Sequence, residues 1–101
     1  MEVKLKIYRN RIELFTGSKF HFETPKEAFS TQRLLVGDFD AAWNCIVNAE
    51  KKLSIKGLFK RKPKVIVEPK EMVEGGISSV EERIFRELAM ALNPKSVEVH
   101  V

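Results

Sequence analysis

The feature that most constrains the fold is the stretch from residue 60 to residue 101, where a strand, a capped helix and a strand are predicted in succession. Residues 64–67 form a short run of β-branched side chains, typical of a strand covered on both faces. Ser78 and Glu81 have the spacing of a capping box, so a helix is predicted to begin there. Asn93-Pro94 ends that helix, because proline disfavours helical backbone in the residue before it. Residues 96–101 alternate as a strand, which completes a βαβ unit.

The N-terminal part of the chain shows apolar residues at every second position in three short segments. Turn residues separate the segments, so an antiparallel meander of three strands is predicted at residues 3–8, 11–15 and 19–23. In the third strand, His21 alternates with Phe20 and Phe22. His21 is therefore predicted to face solvent, away from the side of the phenylalanines, as a surface residue rather than a metal ligand.

The middle of the chain contains signals for two further helical segments. Residues 24–27 have the order of a cap, a first-turn proline and a capping-box glutamate, which predicts a short helical turn. Asp40 or Asp38 is expected to cap the next helix, and Gly57 to mark its end. Two acids two residues apart also fit a metal site or an acid/base pair, but capping is the simpler explanation.

Length and composition fit one domain spanning residues 1–101, with 44% apolar and 32% charged side chains. No apolar run approaches the roughly 20 residues of a membrane span, and no secretion signal precedes the first strand, so a cytoplasmic location is predicted. Cys45 is the single cysteine, which excludes an intrachain disulfide and a cysteine-based zinc site. It is expected to be a small buried hydrophobe rather than a nucleophile.

The charge is mildly basic, with a formal net charge of +4 and a pI of about 9.3. Cations concentrate on the connection before the βαβ unit, and this cluster is a candidate anion-binding site for nucleic acid or acidic membrane. The alternative is that these side chains are simply solvated, as charge clusters on connections usually are. The candidate anion-binding residues are Lys56, Lys60, Arg61, Lys62 and Lys64.

In chain order the predicted elements are β-β-β-α-β-α-β, an α/β (α+β) arrangement with a five-stranded mixed sheet, packed helices and right-handed crossovers. This is the element order of the ribonuclease-H-like fold and of the first half of actin-like ATPases. The prediction is therefore a ribonuclease-H-like domain.

The segment from residue 34 to residue 101 resembles the bacterial actin-like shape proteins of the MreB family. LLVGDFDAAWNCI is similar to their Gly-x-x-x-Asp-Phe-Asp segment at the start of a helix, and RKPKVIVEP to their Pro-Arg-Val-Val-Val strand. GISSVEERIFRELA resembles their Gly-Ile-Thr-x-Val-Glu-Arg-Arg-Ala helix, and NPKSVEVHV is similar to their next strand. The resemblance implies a reduced actin-like subdomain with a role in cell shape or the cytoskeleton.

The nucleotide motifs of that family do not carry over. Its members hold ATP phosphates with an Asp-Leu-Gly-Thr-like turn between the first two strands, whereas residues 7–11 here are Ile-Tyr-Arg-Asn-Arg, without the acid or the glycine. A ribonuclease-H nuclease would need metal-binding carboxylates on the first strand, which instead carries Lys4 and Lys6, with Glu2 only at its margin. The chain is therefore predicted to be no enzyme, with no ATP, metal or other cofactor.

The predicted function is protein-protein interaction or self-association through an exposed sheet edge. The last strand is expected to lie at that edge, with Val97, Val99 and Val101 as the candidate interaction residues. An anion-binding module using the basic connection is the alternative. A weaker third possibility is an enzyme completed by a second chain.

Overall fold

A five-stranded mixed sheet organises the structure, a computed structural model that describes residues 2–17, 19–54 and 61–101. The predicted order of strands and helices is confirmed, with a 3₁₀ turn added after the second helix. The elements are β1 (Glu2–Tyr8), β2 (Arg11–Thr16), β3 (Lys19–Glu23), α1 (Phe39–Leu53), β4 (Lys64–Pro69), α2 (Ser79–Ala89), the 3₁₀ turn (Met90–Leu92) and β5 (Ser96–Val99).

The strands lie in the order β3-β2-β1-β4-β5, so β1 is central and β3 and β5 are the two edges. β1 pairs antiparallel with β2, with Leu5 opposite Leu14, and parallel with β4, with Leu5 opposite Val67. β2 and β3 are antiparallel, and β4 and β5 are parallel. The prediction that the last strand lies at an edge is confirmed.

Both helices pack on one face of the sheet, where alternate strand residues supply the core. In β1 this face takes Val3, Leu5 and Ile7, each at most 1% exposed, while Lys4 and Lys6 point to the opposite side. We call that opposite side the open face. Among the described residues, both α1 and α2 pack on the other side of the sheet, and neither helix covers the open face.

The ends of the helices follow local sequence signals. Ser78 caps α2 with both halves of a capping box, because its side chain accepts from the Glu81 amide and the Glu81 carboxylate accepts from the Ser78 amide. Of the two candidate caps for α1, Asp38 is the one that forms, and it accepts from the Ala41 amide at 3.0 Å. α1 ends at Leu53, whereas the predicted end at Gly57 lies outside the described residues.

Two predicted elements differ from the structure. Residues 24–27 form no helical turn, and the residues that follow them bond to the β1–β2 turn, where the Asn10 side chain accepts from the Phe29 and Ser30 amides. β5 ends at Val99, so Val101 lies beyond the strand and is 66% exposed. No helix among the described residues is long and apolar enough to cross a membrane.

Candidate functional site

The backbone of β5 presents Val97 and Val99 to the free edge of the sheet. The His100 amide donates to the Val67 carbonyl at 2.9 Å, so the backbone N–H and C=O groups of His100 point towards β4. These groups point to opposite sides in successive strand residues. The backbone groups of Val97 and Val99 therefore point away from β4. These two backbone positions are the part of the predicted edge site that the structure leaves without a neighbouring strand.

The valine side chains at this edge are not free for a partner. Val97 and Val99 are partly buried and pack against the core on the helix-covered face. A partner at this edge would therefore contact the backbone of β5 rather than its apolar side chains. Val101, the third predicted interaction residue, is exposed but lies outside the strand.

An arginine from α2 occupies one acceptor of the β5 edge. Arg86 Nη1 donates to the Val97 carbonyl at 3.0 Å. Glu82, one turn earlier on the helix, holds the same guanidinium by accepting from Nε at 3.0 Å and from Nη2 at 2.9 Å. The edge is thus partly closed by a side chain, a common device against unwanted strand pairing. Sequence patterns missed this contact because it joins two elements.

The candidate anion-binding residues are only partly brought together. Lys56 and Lys60 lie outside the described residues, and Arg61 and Lys62 are exposed. Lys64 belongs to β4 and forms a 2.6 Å ion pair with Glu98 on β5, which raises the pKa of Lys64. The hydrogen bond with Lys64 lowers the pKa of Glu98, and the hydrogen bond with His100 makes a smaller contribution in the same direction. The Lys64 charge is therefore balanced within the sheet, and the anion-binding site stays a prediction.

The third strand has the opposite orientation from the one predicted. Phe20 and Phe22 lie on the open face and are 50% and 55% exposed. On the same face, the ring centroids of Phe15 and Phe20 are 4.7 Å apart. His21 instead lies on the helix-covered side, 2.7 Å from Glu23, which also binds Lys52 of α1 at 2.9 Å. The prediction that His21 faces solvent is wrong, because alternation defines two faces without identifying the covered one.

The ion cluster between β3 and α1 perturbs one carboxyl group. Burial of Glu23 opposes its ionisation, but hydrogen bonds from His21 and Lys52 outweigh burial and lower its pKa. The carboxylate is only 12% exposed in its ion pair with Lys52. This cluster ties the edge strand β3 to α1 through charge as well as packing.

The β1–β2 turn is used to hold another part of the chain. Asn10 has a left-handed backbone, with a φ of 49°, and its side-chain oxygen accepts from the amides of Phe29 and Ser30 at 2.9 Å each. Its own amide donates to the Ser30 hydroxyl at 3.0 Å. The turn thus anchors the connection from β3 to α1, in which Phe29 is fully buried in the core.

Groups suited to covalent or metal chemistry are few in the described residues. Cys45 is buried, and burial, with the nearby Glu23 charge, raises its pKa to about 12, so the thiol stays protonated at neutral pH. Across residues 2–17, 19–54 and 61–101, no three His, Cys, Asp or Glu side chains are grouped as metal ligands. The surfaces that stand out are instead the two sheet edges and the open face.

Comparison of the chain with protein-family models, with curated proteins and with solved structures gives no significant match.

Proposed function

We propose that the chain is a non-catalytic protein-interaction domain, a reduced actin-like subdomain of ribonuclease-H-like architecture that takes part in a cell-shape or cytoskeletal assembly in the cytoplasm. The element order βββαβαβ and the mixed five-stranded sheet support this architecture. The resemblance of residues 34–101 to the MreB family supports the cellular role. The lack of that family's acid and glycine at residues 7–11 supports an interaction that does not depend on ATP.

The observation that carries the proposal is the free edge at β5. The N–H and C=O groups of Val97 and Val99 point away from β4, and an extended segment of a partner could pair with them. Such pairing draws its affinity from main-chain hydrogen bonds, which suits an edge whose own side chains are already packed in the core.

Arg86 would regulate this pairing. A partner strand that bonds to the Val97 carbonyl must displace the guanidinium, which then keeps its bonds to Glu82. Since a hydrogen bond from a charged group is worth about 1.5 kcal/mol or more net, removing Arg86 should strengthen partner binding by roughly tenfold. Arg83 on the same helix is exposed and provides a control with the same charge change.

The test begins with affinity capture from a cell extract, using the wild-type chain and a Val99→Pro variant as bait. Proline removes the outward N–H of Val99 while leaving the pairing to β4, and proline is tolerated on sheet edges for this reason. A Val99→Ala variant controls for lost packing. A protein captured by the wild type and by Val99→Ala, but not by Val99→Pro, is then purified and titrated by calorimetry.

With the purified partner, we expect Arg86→Ala to bind more tightly than the wild type and Arg83→Ala to bind as the wild type does. Amide hydrogen exchange at Val97 and Val99 should slow in the complex, because both amides become hydrogen-bonded. Equal binding by Val99→Pro and the wild type, or protection confined to another part of the sheet, would show that β5 is not the interaction edge.

A further inference from the structure

We propose that the chain pairs with a second copy of itself through β3, the edge opposite β5, with the two strands antiparallel and related by a two-fold axis at His21. The strand Lys19-Phe20-His21-Phe22-Glu23 carries a cation, an aromatic ring, an imidazole, an aromatic ring and an anion. In an antiparallel pair centred on His21, Lys19 of each copy lies opposite Glu23 of the other, and Phe20 of each copy lies opposite Phe22 of the other. An edge strand of this kind is complementary to an antiparallel copy of itself.

The backbone of β3 is in the correct phase for this pairing. Thr16 pairs with Lys19 across a two-residue turn, whose first residue, Gly17, has a φ of 55°. Hairpin connections of two residues have a hydrogen-bonded pair at their base, so Lys19, His21 and Glu23 point their backbone groups towards β2. Phe20 and Phe22 therefore point theirs to the free edge. With the axis at His21, Phe20 would exchange backbone hydrogen bonds with Phe22 of the second copy.

The same register places the side chains favourably. Phe20 and Phe22 are about half exposed on the open face, and pairing would bring four such rings together on one side of a ten-stranded sheet. Lys19 is exposed and has no ion pair or hydrogen bond with the rest of the described chain. It would lie opposite Glu23 of the second copy, on the same side of the sheet, and would add a second lysine to the carboxylate that Lys52 already binds.

The charges of the open face favour a protein partner over a nucleic acid. Exposed aromatic rings beside lysines can stack bases, but a nucleic acid also needs cations that are free to contact phosphates. Most cations of the open face are instead paired with acids of the same face, Lys4 being the exception among the described residues. The pairs are Lys6–Glu68 at 4.0 Å, Arg11–Glu13 at 2.9 Å and Lys64–Glu98 at 2.6 Å.

Sedimentation equilibrium of the full chain over a range of concentrations tests the dimer. The wild type should show a monomer-dimer equilibrium. Lys19→Glu replaces two attractive pairs by two repulsive ones, so its dissociation constant should rise by about tenfold or more. Glu23→Lys should weaken the dimer similarly, and an equimolar mixture of the two variants should dimerise again, because each acidic edge then meets a basic one.

A cysteine at the axis tests the register without relying on charge. In an antiparallel pair, residues opposite each other have the Cα separation that a disulfide needs, so His21→Cys should form an intermolecular disulfide. Val80→Cys, on the exposed surface of α2, is the control and should cross-link at least tenfold more slowly. Val99→Pro should leave this dimer intact, which separates it from any interaction at β5.

A chain that stays monomeric at every concentration overturns the proposal, as does a variant mixture that stays monomeric although both variants are folded. Equal cross-linking rates for the two cysteine variants overturn the register. A single-stranded oligonucleotide that binds the monomer, with affinity lost in Phe20→Leu, would assign the surface to nucleic acid instead.

Discussion

Substitution of Asn10 tests the anchoring of the connection between β3 and α1. The Asn10 side-chain oxygen accepts from the amides of Phe29 and Ser30 at 2.9 Å each, and its backbone is left-handed. Three substitutions separate these two roles. Asn10→Asp keeps the acceptor and tolerates the left-handed backbone, Asn10→Gly keeps only the backbone, and Asn10→Ala keeps neither.

The expected losses of stability follow from the two roles. Each part-buried amide that loses its acceptor costs about 1 kcal/mol or more. Asn10→Gly leaves two such amides, those of Phe29 and Ser30, without an acceptor, so it should lower the free energy of unfolding by roughly 2–3 kcal/mol. Alanine adds the cost of a left-handed backbone, about 1 kcal/mol, so Asn10→Ala should lose roughly 3–4 kcal/mol. Asn10→Asp should stay within about 1 kcal/mol of the wild type, since its carboxylate can accept both bonds.

Urea unfolding followed by Trp43 fluorescence measures these differences, because Trp43 is partly buried against the core. The slope of the free energy against urea should stay the same in all four proteins, which shows that the same surface is exposed on unfolding. Unchanged stability in Asn10→Gly would refute the anchoring role of the side chain. Equal stability of the alanine and glycine variants would refute the backbone contribution.

Three further predictions concern local features. Ser78→Ala removes the cap of α2 and should lower the free energy of unfolding by about 1 kcal/mol in the same urea assay. The pKa of Glu23 is lowered in the folded chain, so its ion cluster should stabilise the fold at pH values above the unfolded pKa of about 4.3. That stabilisation should be lost as the pH falls through the lower pKa of the folded chain. Glu23→Gln should therefore flatten the measured dependence of stability on pH in this acid range. Cys45 has its pKa raised to about 12, so an aromatic disulfide reagent at pH 8 should modify it at a rate that rises with urea as the chain unfolds, and a fast reaction of the native chain would contradict its burial.

Local patterns predicted the elements because their causes are local. The capping box depends on two residues three positions apart, and the strands on alternation over a few residues. These features do not depend on which other parts of the chain lie nearby.

The errors arise where distant residues decide the outcome. Residues 24–27 have a helix-start signal, but the nearby Phe29 and Ser30 amides bond to Asn10 across the fold. In β3 the aromatic residues were assigned to the buried side, as the apolar residues of β1 are. Lys52 of α1 instead fixes Glu23 on the covered face, which leaves the rings exposed. The bond from Arg86 to Val97 likewise has no signature in the sequence.

The position of β1 between β2 and β4 has a consequence for folding kinetics. β2 follows β1 after a two-residue turn, whereas β4 reaches β1 only after most of the chain, with Val3 opposite Val65. A hairpin forms within about 1–10 microseconds, but distant pairing must first overcome the entropy of closing a long loop. The parallel contact between β1 and β4 should therefore set the folding rate, and core substitutions there should slow folding more than substitutions in the hairpin do.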